Sequence, residues 1–204
     1  MTNVAVYIGT GGYMADDVKA FLASHSIGFN ELTEEDICKG KLDDFDTLII
    51  GGGTINEIIP ALTPRGVYKI RKFVASSKRY IGICAGAYIA AKFFIDLRGN
   101  KHRGIGLSQS SYIRGLGQEI GETKFKNEEK IKLYYCNGPL INHLSKFDEL
   151  LAHDQSGKIT VLKAKYFLGQ AILFSAHPEG NSFSKVSATE LGAEKFFENV
   201  IRNG

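Results

Sequence analysis

The chain is 204 residues long, 44% hydrophobic and 23% charged, with a net charge of +3. That length and composition fit one globular domain with a sizeable core, which we read as spanning residues 1–204. The scattered basic residues exclude a nucleic-acid footprint, which needs a broad basic face, and the apolar runs stay short of the roughly 18 residues of a membrane span.

The start of the chain enters an apolar strand directly, without a basic and then apolar leader. The three cysteines, Cys38, Cys84 and Cys136, are too widely and irregularly spaced for a disulfide framework or a Cys-x-x-Cys metal site. A reducing, cytoplasmic location is the expectation.

In chain order, Val4 to Ile8 reads as a strand ending in Gly9-Thr10-Gly11-Gly12. A helix follows, with Val18, Phe21 and Leu22 on one face. Asn30 to Leu32 is a second strand, and Thr33-Glu-Glu-Asp36 looks like a capped helix start. Thr47 to Ile50 is a buried strand closing in Gly51-Gly52-Gly53. Pro64 to Ser76 reads as a helix, Tyr80 to Ile83 as a strand and Ala85 to Phe94 as a helix. Arg98 to Arg103 reads as a solvated hairpin turn. From Leu107 to Tyr135 the glycines and alternation predict antiparallel strands. Ile159 to Lys165 and Gln170 to Phe174 form a strand pair, and a helix over about Thr189 to Arg202 closes the chain. Strands that are apolar on both faces and alternate with helices predict a three-layer α/β fold. Its central sheet is mostly parallel, with flanking helices and an antiparallel extension.

The segment Gly82-Ile83-Cys84-Ala85-Gly86, between a strand and a helix, has the form of a nucleophile elbow. The turn is tight, so its flanks must be small. It sets Cys84 where unpaired N–H groups and the helix dipole favour an anion, the condition under which a thiol becomes a nucleophile. Among five histidines, His25, His102, His143 and His153 read as surface, turn or strand-end residues. His177 differs, because it follows an apolar strand and opens His-Pro-Glu. The carboxylate of Glu179 can then fix the tautomer of an imidazole aimed at the nucleophile. The backbone N–H of Ala85 and those of Gly52 and Gly53 are candidate donors to an oxyanion. The Gly9 to Gly12 cluster lacks a third dinucleotide-type glycine, since Met14 stands in its place, and reads as a tight turn at the mouth of the pocket. No cluster has metal-ligand spacing, so neither metal nor cofactor is expected.

These motifs, with Val6-Tyr-Ile-Gly9 and Tyr134-Tyr-Cys-Asn-Gly-Pro139, resemble the class I glutamine-amidotransferase-like superfamily. Within it they are similar to the biotin-protein ligase N-terminal-like domain. The resemblance runs through nearly the whole chain and implies a flavodoxin-like fold with a Cys84, His177, Glu179 triad. It implies binding roles for Gly52, Gly53, Ala85, Tyr88 and Asn137. Three departures stand out. Tyr88 replaces the glutamine usual in glutaminases, Ala85 replaces the histidine of the protease and chaperone branch, and no Gly-Arg-Gly-Arg ligase signature is present.

Three functions remain open at this point. The chain is a cysteine-dependent amide or ester hydrolase or transferase, a non-catalytic binding or regulatory domain beside a biotin-ligase-type partner, or a glutaminase subunit dependent on a synthase. A homodimer is expected by analogy alone.

Overall fold

In the computed structural model, which describes residues 3–126 and 129–203, the N-terminal part alternates strand and helix. Its elements are β1 (Val4–Tyr7), α1 (Ala15–Ser24), β2 (Phe29–Leu32), α2 (Glu34–Lys39), β3 (Thr47–Ile50), α3 (Ile55–Ala75), β4 (Arg79–Ile83) and α4 (Ala85–Ala90). There follow β5 (Phe93–Ile95), β6 (Lys101–Arg103), β7 (Ser111–Arg114), β8 (Gln118–Phe125), β9 (Lys130–Cys136) and β10 (Pro139–His143). Then come β11 (Asp148–Asp154), β12 (Ile159–Tyr166), β13 (Gly169–Phe174), α5 (Ala188–Leu191) and α6 (Glu194–Asn203). The side chains of residues 142 and 143 lie outside the described residues, and with them the reading of His143 as a surface group.

Among the described residues, one sheet of 13 strands runs through the molecule. Its parallel part has the order β2-β1-β3-β4-β13, the flavodoxin-like order, in which ligands bind beyond the carboxyl ends of the strands. Alternation along each strand divides the core between the two faces. Ala5, Tyr7, Leu48 and Ile50 pack with Ile58, Leu62, Ile70 and Phe73 of α3 on one side. Val4, Val6, Ile49 and Ile81 pack with Val18 and Leu22 of α1 and with Phe197 and Ile201 of α6 on the other. Two helical layers therefore enclose the sheet, as the sequence predicts. Beyond β13 the sheet turns antiparallel through β12, and strands β8 to β11 extend it further than a mostly parallel sheet would suggest.

Local chemistry explains where the elements stop. Thr33 caps α2 in a reciprocal box with Asp36, whose carboxyl is held down to about 2 by Lys41 and the Thr33 donors. The helix predicted from Pro64 does begin there, because Thr63 (φ 55°, ψ 169°) breaks α3 just before the proline. A first half, Ile55–Leu62, precedes it. The helix predicted to Phe94 ends instead at Ala90. Ala91 is extended, and the bulky Phe93-Phe94 pair joins a strand between β6 and β7. The closing helix is two helices, because Gly192 takes a left-handed conformation (φ 68°) and caps α5. Among the described residues, no helix is long and apolar enough to cross a membrane.

Candidate active site at the carboxyl edge of the sheet

Strands β1, β3, β4 and β13 all end on one edge, and each leads into a segment singled out in the sequence. Cys84 follows β4 directly and adopts φ 50°, ψ −102°, a backbone conformation that non-glycine residues rarely occupy. The flanks explain how the turn closes. A Cβ on Gly82 would stand 2.6 Å from the Gly86 carbonyl oxygen, and one on Gly86 would run into the carbonyl of Ile50. The elbow is tied down on three sides. The Cys84 N–H donates to the Phe174 carbonyl at 2.9 Å, the Gly86 N–H to the Gly51 carbonyl at 3.1 Å, and the Tyr80 hydroxyl to the Gly86 carbonyl at 2.7 Å.

His177 lies just past β13 and is held by a strand the sequence does not single out for this purpose. Its N–H donates to the Tyr134 carbonyl of β9 at 2.8 Å, and the Tyr134 ring lies 6.0 Å from the imidazole. On the ring, Nδ1 pairs with Glu179 Oε1 at 2.9 Å, both side chains fully buried. Nε2 is buried and lacks a hydrogen-bond partner of ordinary geometry. The Cys84 thiol is nevertheless close enough to act on its titration. Burial pulls the His177 pKa down, but the Glu179 charge and hydrogen bonding to Cys84 and Glu179 outweigh it and hold it well above the usual histidine range. Glu179 is itself raised, by burial first, with the His177 charge opposing. Asp17 of α1 adds to that rise.

The glycine loops meet the same place. A Cβ on Gly52 would lie 2.9 Å from His177 Cε1 and 2.5 Å from Met14 Sδ, so the imidazole and Met14 fill the space that a side chain at this position would need. Gly53 turns the other way and packs on the Gly11 carbonyl. Gly9 and Gly12 close a turn at 3.0 Å. The Ala85 N–H occupies the first position of α4, where no intrahelical acceptor exists.

Tyr88 and Asn137 stand beside the site with their polar atoms engaged. The Tyr88 hydroxyl accepts from the Gly115 N–H at 2.8 Å and donates to the Asn137 carbonyl at 3.1 Å. Asn137 Oδ1 accepts from the Gly117 N–H at 2.9 Å. The two residues thereby fix a left-handed turn at Asn137 (φ 51°), which presents the Cys136 carbonyl to the Cys84 thiol at 3.4 Å. The roles of Tyr134 and Cys136 depend on long-range strand pairing. In the sequence they stand out only as members of the Tyr134–Pro139 motif, and their spacing of two places both on one face of a strand.

The site is nearly sealed, with Cys84 8%, His177 0% and Glu179 6% exposed. Among the described residues no group of three or more histidine, cysteine or acidic side chains is placed to hold a metal.

This fold is that of the class I glutamine amidotransferases. A solved glutamine amidotransferase matches with a TM-score of 0.73 at 18% identity, covering 97% of each chain. A chain of PurLQS from Thermotoga maritima matches at 0.73 and 16%, covering 98% of each. The same architecture recurs within a GH42 β-galactosidase from G. stearothermophilus (TM-score 0.64, 9% identity), over 98% of this chain and 30% of that one. Likeness at these identities defines the fold alone. More narrowly, residues 42–105 match the family described as biotin-protein ligase, N terminal, and so carry the resemblance read from the motifs. That stretch includes the triple glycine and the elbow. No curated protein sequence matches the chain.

Proposed function

We propose that the chain is a cysteine-dependent amide or ester hydrolase or transferase, with Cys84 as nucleophile, His177 as base and Glu179 as its orienting carboxylate. The observation that carries this reading is the buried 2.9 Å bond from His177 Nδ1 to Glu179, which leaves Nε2 unpartnered near the elbow cysteine. In this mechanism the raised His177 pKa favours an imidazolium–thiolate pair, in which Nε2 holds the proton given up by Cys84 and Sγ attacks the substrate carbonyl carbon. The N–H groups of Ala85 and Gly52 hold the oxyanion. His177 then protonates the departing amine or alcohol, and water or an amine resolves the thioester. The residues argue for one domain over 1–204, supported by the unbroken sheet.

The test is turnover of an activated ester, p-nitrophenyl acetate, and of L-glutamine, by the wild type and Cys84→Ala. Loss of turnover by on the order of a thousandfold or more supports the mechanism. Undiminished turnover in Cys84→Ala sinks it.

A second reading, a binding or regulatory domain, is favoured by the same site. The thiol hydrogen is engaged by the Cys136 carbonyl, and the cysteine is 8% exposed. This reading predicts ligand or partner binding that survives Cys84→Ala. The family match makes a biotin-ligase-type partner the first to try. The likeness to PurLQS makes a synthase the second, with glutamine hydrolysis then dependent on it.

A further inference from the structure

The site contains a second thiol that the triad does not use. Cys136 is free and half-buried, and it packs against the core cluster to which Cys84 belongs. It lies two residues after Tyr134 on β9, so both project to the same face of that strand. The Tyr134 ring faces His177 across 6.0 Å. The Cys84 sulfur already touches the Cys136 backbone, at 3.4 Å from its carbonyl oxygen. Tyr135 reports on both thiols. Burial pushes its hydroxyl up to about 12, and Cys84, Glu119 and Cys136, in that order, add to the rise. Cys38 is elsewhere, its sulfur 3.7 Å from the Leu62 carbonyl between α2 and α3.

We propose that Cys84 and Cys136 form a reversible intramolecular disulfide when the protein meets a peroxide, closing the nucleophile off and protecting it from irreversible oxidation. A sulfur in contact with the other cysteine's own carbonyl is compatible with the Cα separation of up to about 7 Å that a disulfide spans. The left-handed turn at Asn137 ends β9 immediately after Cys136, so the second thiol sits at the end of its strand, next to the elbow. The peroxide step rests on the nucleophile reading given above.

The chemistry balances in two steps. The Cys84 thiolate attacks one peroxide oxygen, the O–O bond breaks, and hydroxide leaves, so that sulfur is oxidised to a sulfenic acid and peroxide is reduced. The Cys136 thiolate then attacks that sulfur. The S–O bond breaks, the leaving hydroxide combines with the proton that Cys136 released on forming its thiolate to give water, and the S–S bond is formed. Excess small thiol returns both cysteines.

Two oxidants separate this inference from the triad. The reduced full-length protein is treated with hydrogen peroxide or, separately, with diamide, which takes two hydrogens from paired thiols without needing an activated one. Remaining thiols are alkylated and the peptides mapped without reduction. The expected product with both oxidants is a peptide pair linking Cys84 to Cys136, two hydrogens lighter than the reduced pair and split by dithiothreitol. Cys38 stays alkylated. Cys136→Ser should convert the peroxide product at Cys84 to sulfinic acid. His177→Ala should slow the peroxide reaction by at least about tenfold while leaving the diamide bridge intact. A bridge with diamide alone overturns the peroxide switch and places the failure in the activated nucleophile, since the two sulfurs can still meet. The absence of any Cys84–Cys136 peptide with both oxidants overturns the proposal.

Discussion

Burial by itself would strip the proton from His177, and the carboxylate of Glu179 reverses that outcome. Glu179→Gln removes the charge and keeps the shape, so the His177 pKa should fall, as read by NMR titration of the ring. An unchanged value would contradict the assignment of cause. The sign of the linkage follows. A histidine pKa raised above its unfolded value of about 6.5 contributes stability that is fully present below that pH and is lost as pH rises through the folded value. The destabilisation caused by Glu179→Gln, measured as a shift in urea midpoint, should therefore be largest in mildly acid buffer and shrink as the pH climbs above neutral. Gly52 is the other residue with a sharp local demand. Gly52→Ala sets a methyl 2.9 Å from the imidazole and 2.5 Å from Met14. It should cost about 1–3 kcal/mol in denaturant unfolding and slow alkylation of Cys84. A neutral result on both counts would mean that Met14 alone gives way.

At the scale of elements, Tyr88 links α4 to the segments on either side of it. Its hydroxyl serves the buried Gly115 N–H and the half-buried Asn137 carbonyl, near the site. Tyr88→Phe leaves those backbone groups unpaired and should cost about 1–3 kcal/mol, read from the urea midpoint. A cost near zero would show that water replaces the hydroxyl. The sequence disclosed what local pattern encodes. The elbow, the capping box at Thr33 and Asp36, the strand of Thr47–Ile50 and the closing His-x-Glu each follow from neighbouring residues. Other features were hidden because they depend on residues far along the chain or on competing signals. Pro60 and Pro64 disguise the first half of α3. Ala87, Tyr88, Ile89 and Ala90 continue a helical pattern into Phe93 and Phe94, which pairing with β6 and β7 claims for the sheet. Gly192 divides a segment whose apolar periodicity reads as one helix. The clamp of Tyr134 on His177 is a single bridge from β9 to a residue beyond β13, a contact that the Tyr134–Pro139 motif does not disclose.

Across the whole molecule, the site is assembled from five separate places: the loop after β1, the glycines after β3, the elbow after β4, the end of β9 and the residues after β13. The parallel half of the sheet brings four of them to one edge, and the antiparallel half supplies the fifth, with the carbonyl of Cys136 and the clamp of Tyr134. The recurrence of this architecture in an amidotransferase and in a β-galactosidase shows that the scaffold does not dictate the chemistry. What distinguishes this chain is the particular set of groups gathered at the edge. The claim that they form a working nucleophile is therefore the one to test first.

The direct measurement is the rate of iodoacetamide alkylation of Cys84 against pH, followed by peptide mapping in the wild type and in His177→Ala, with Cys38 and Cys136 as internal references. An activated thiol predicts that Cys84 reacts faster than both references below neutral pH and that this advantage disappears with His177. A Cys84 no faster than the other two, or equally fast without His177, would contradict the account.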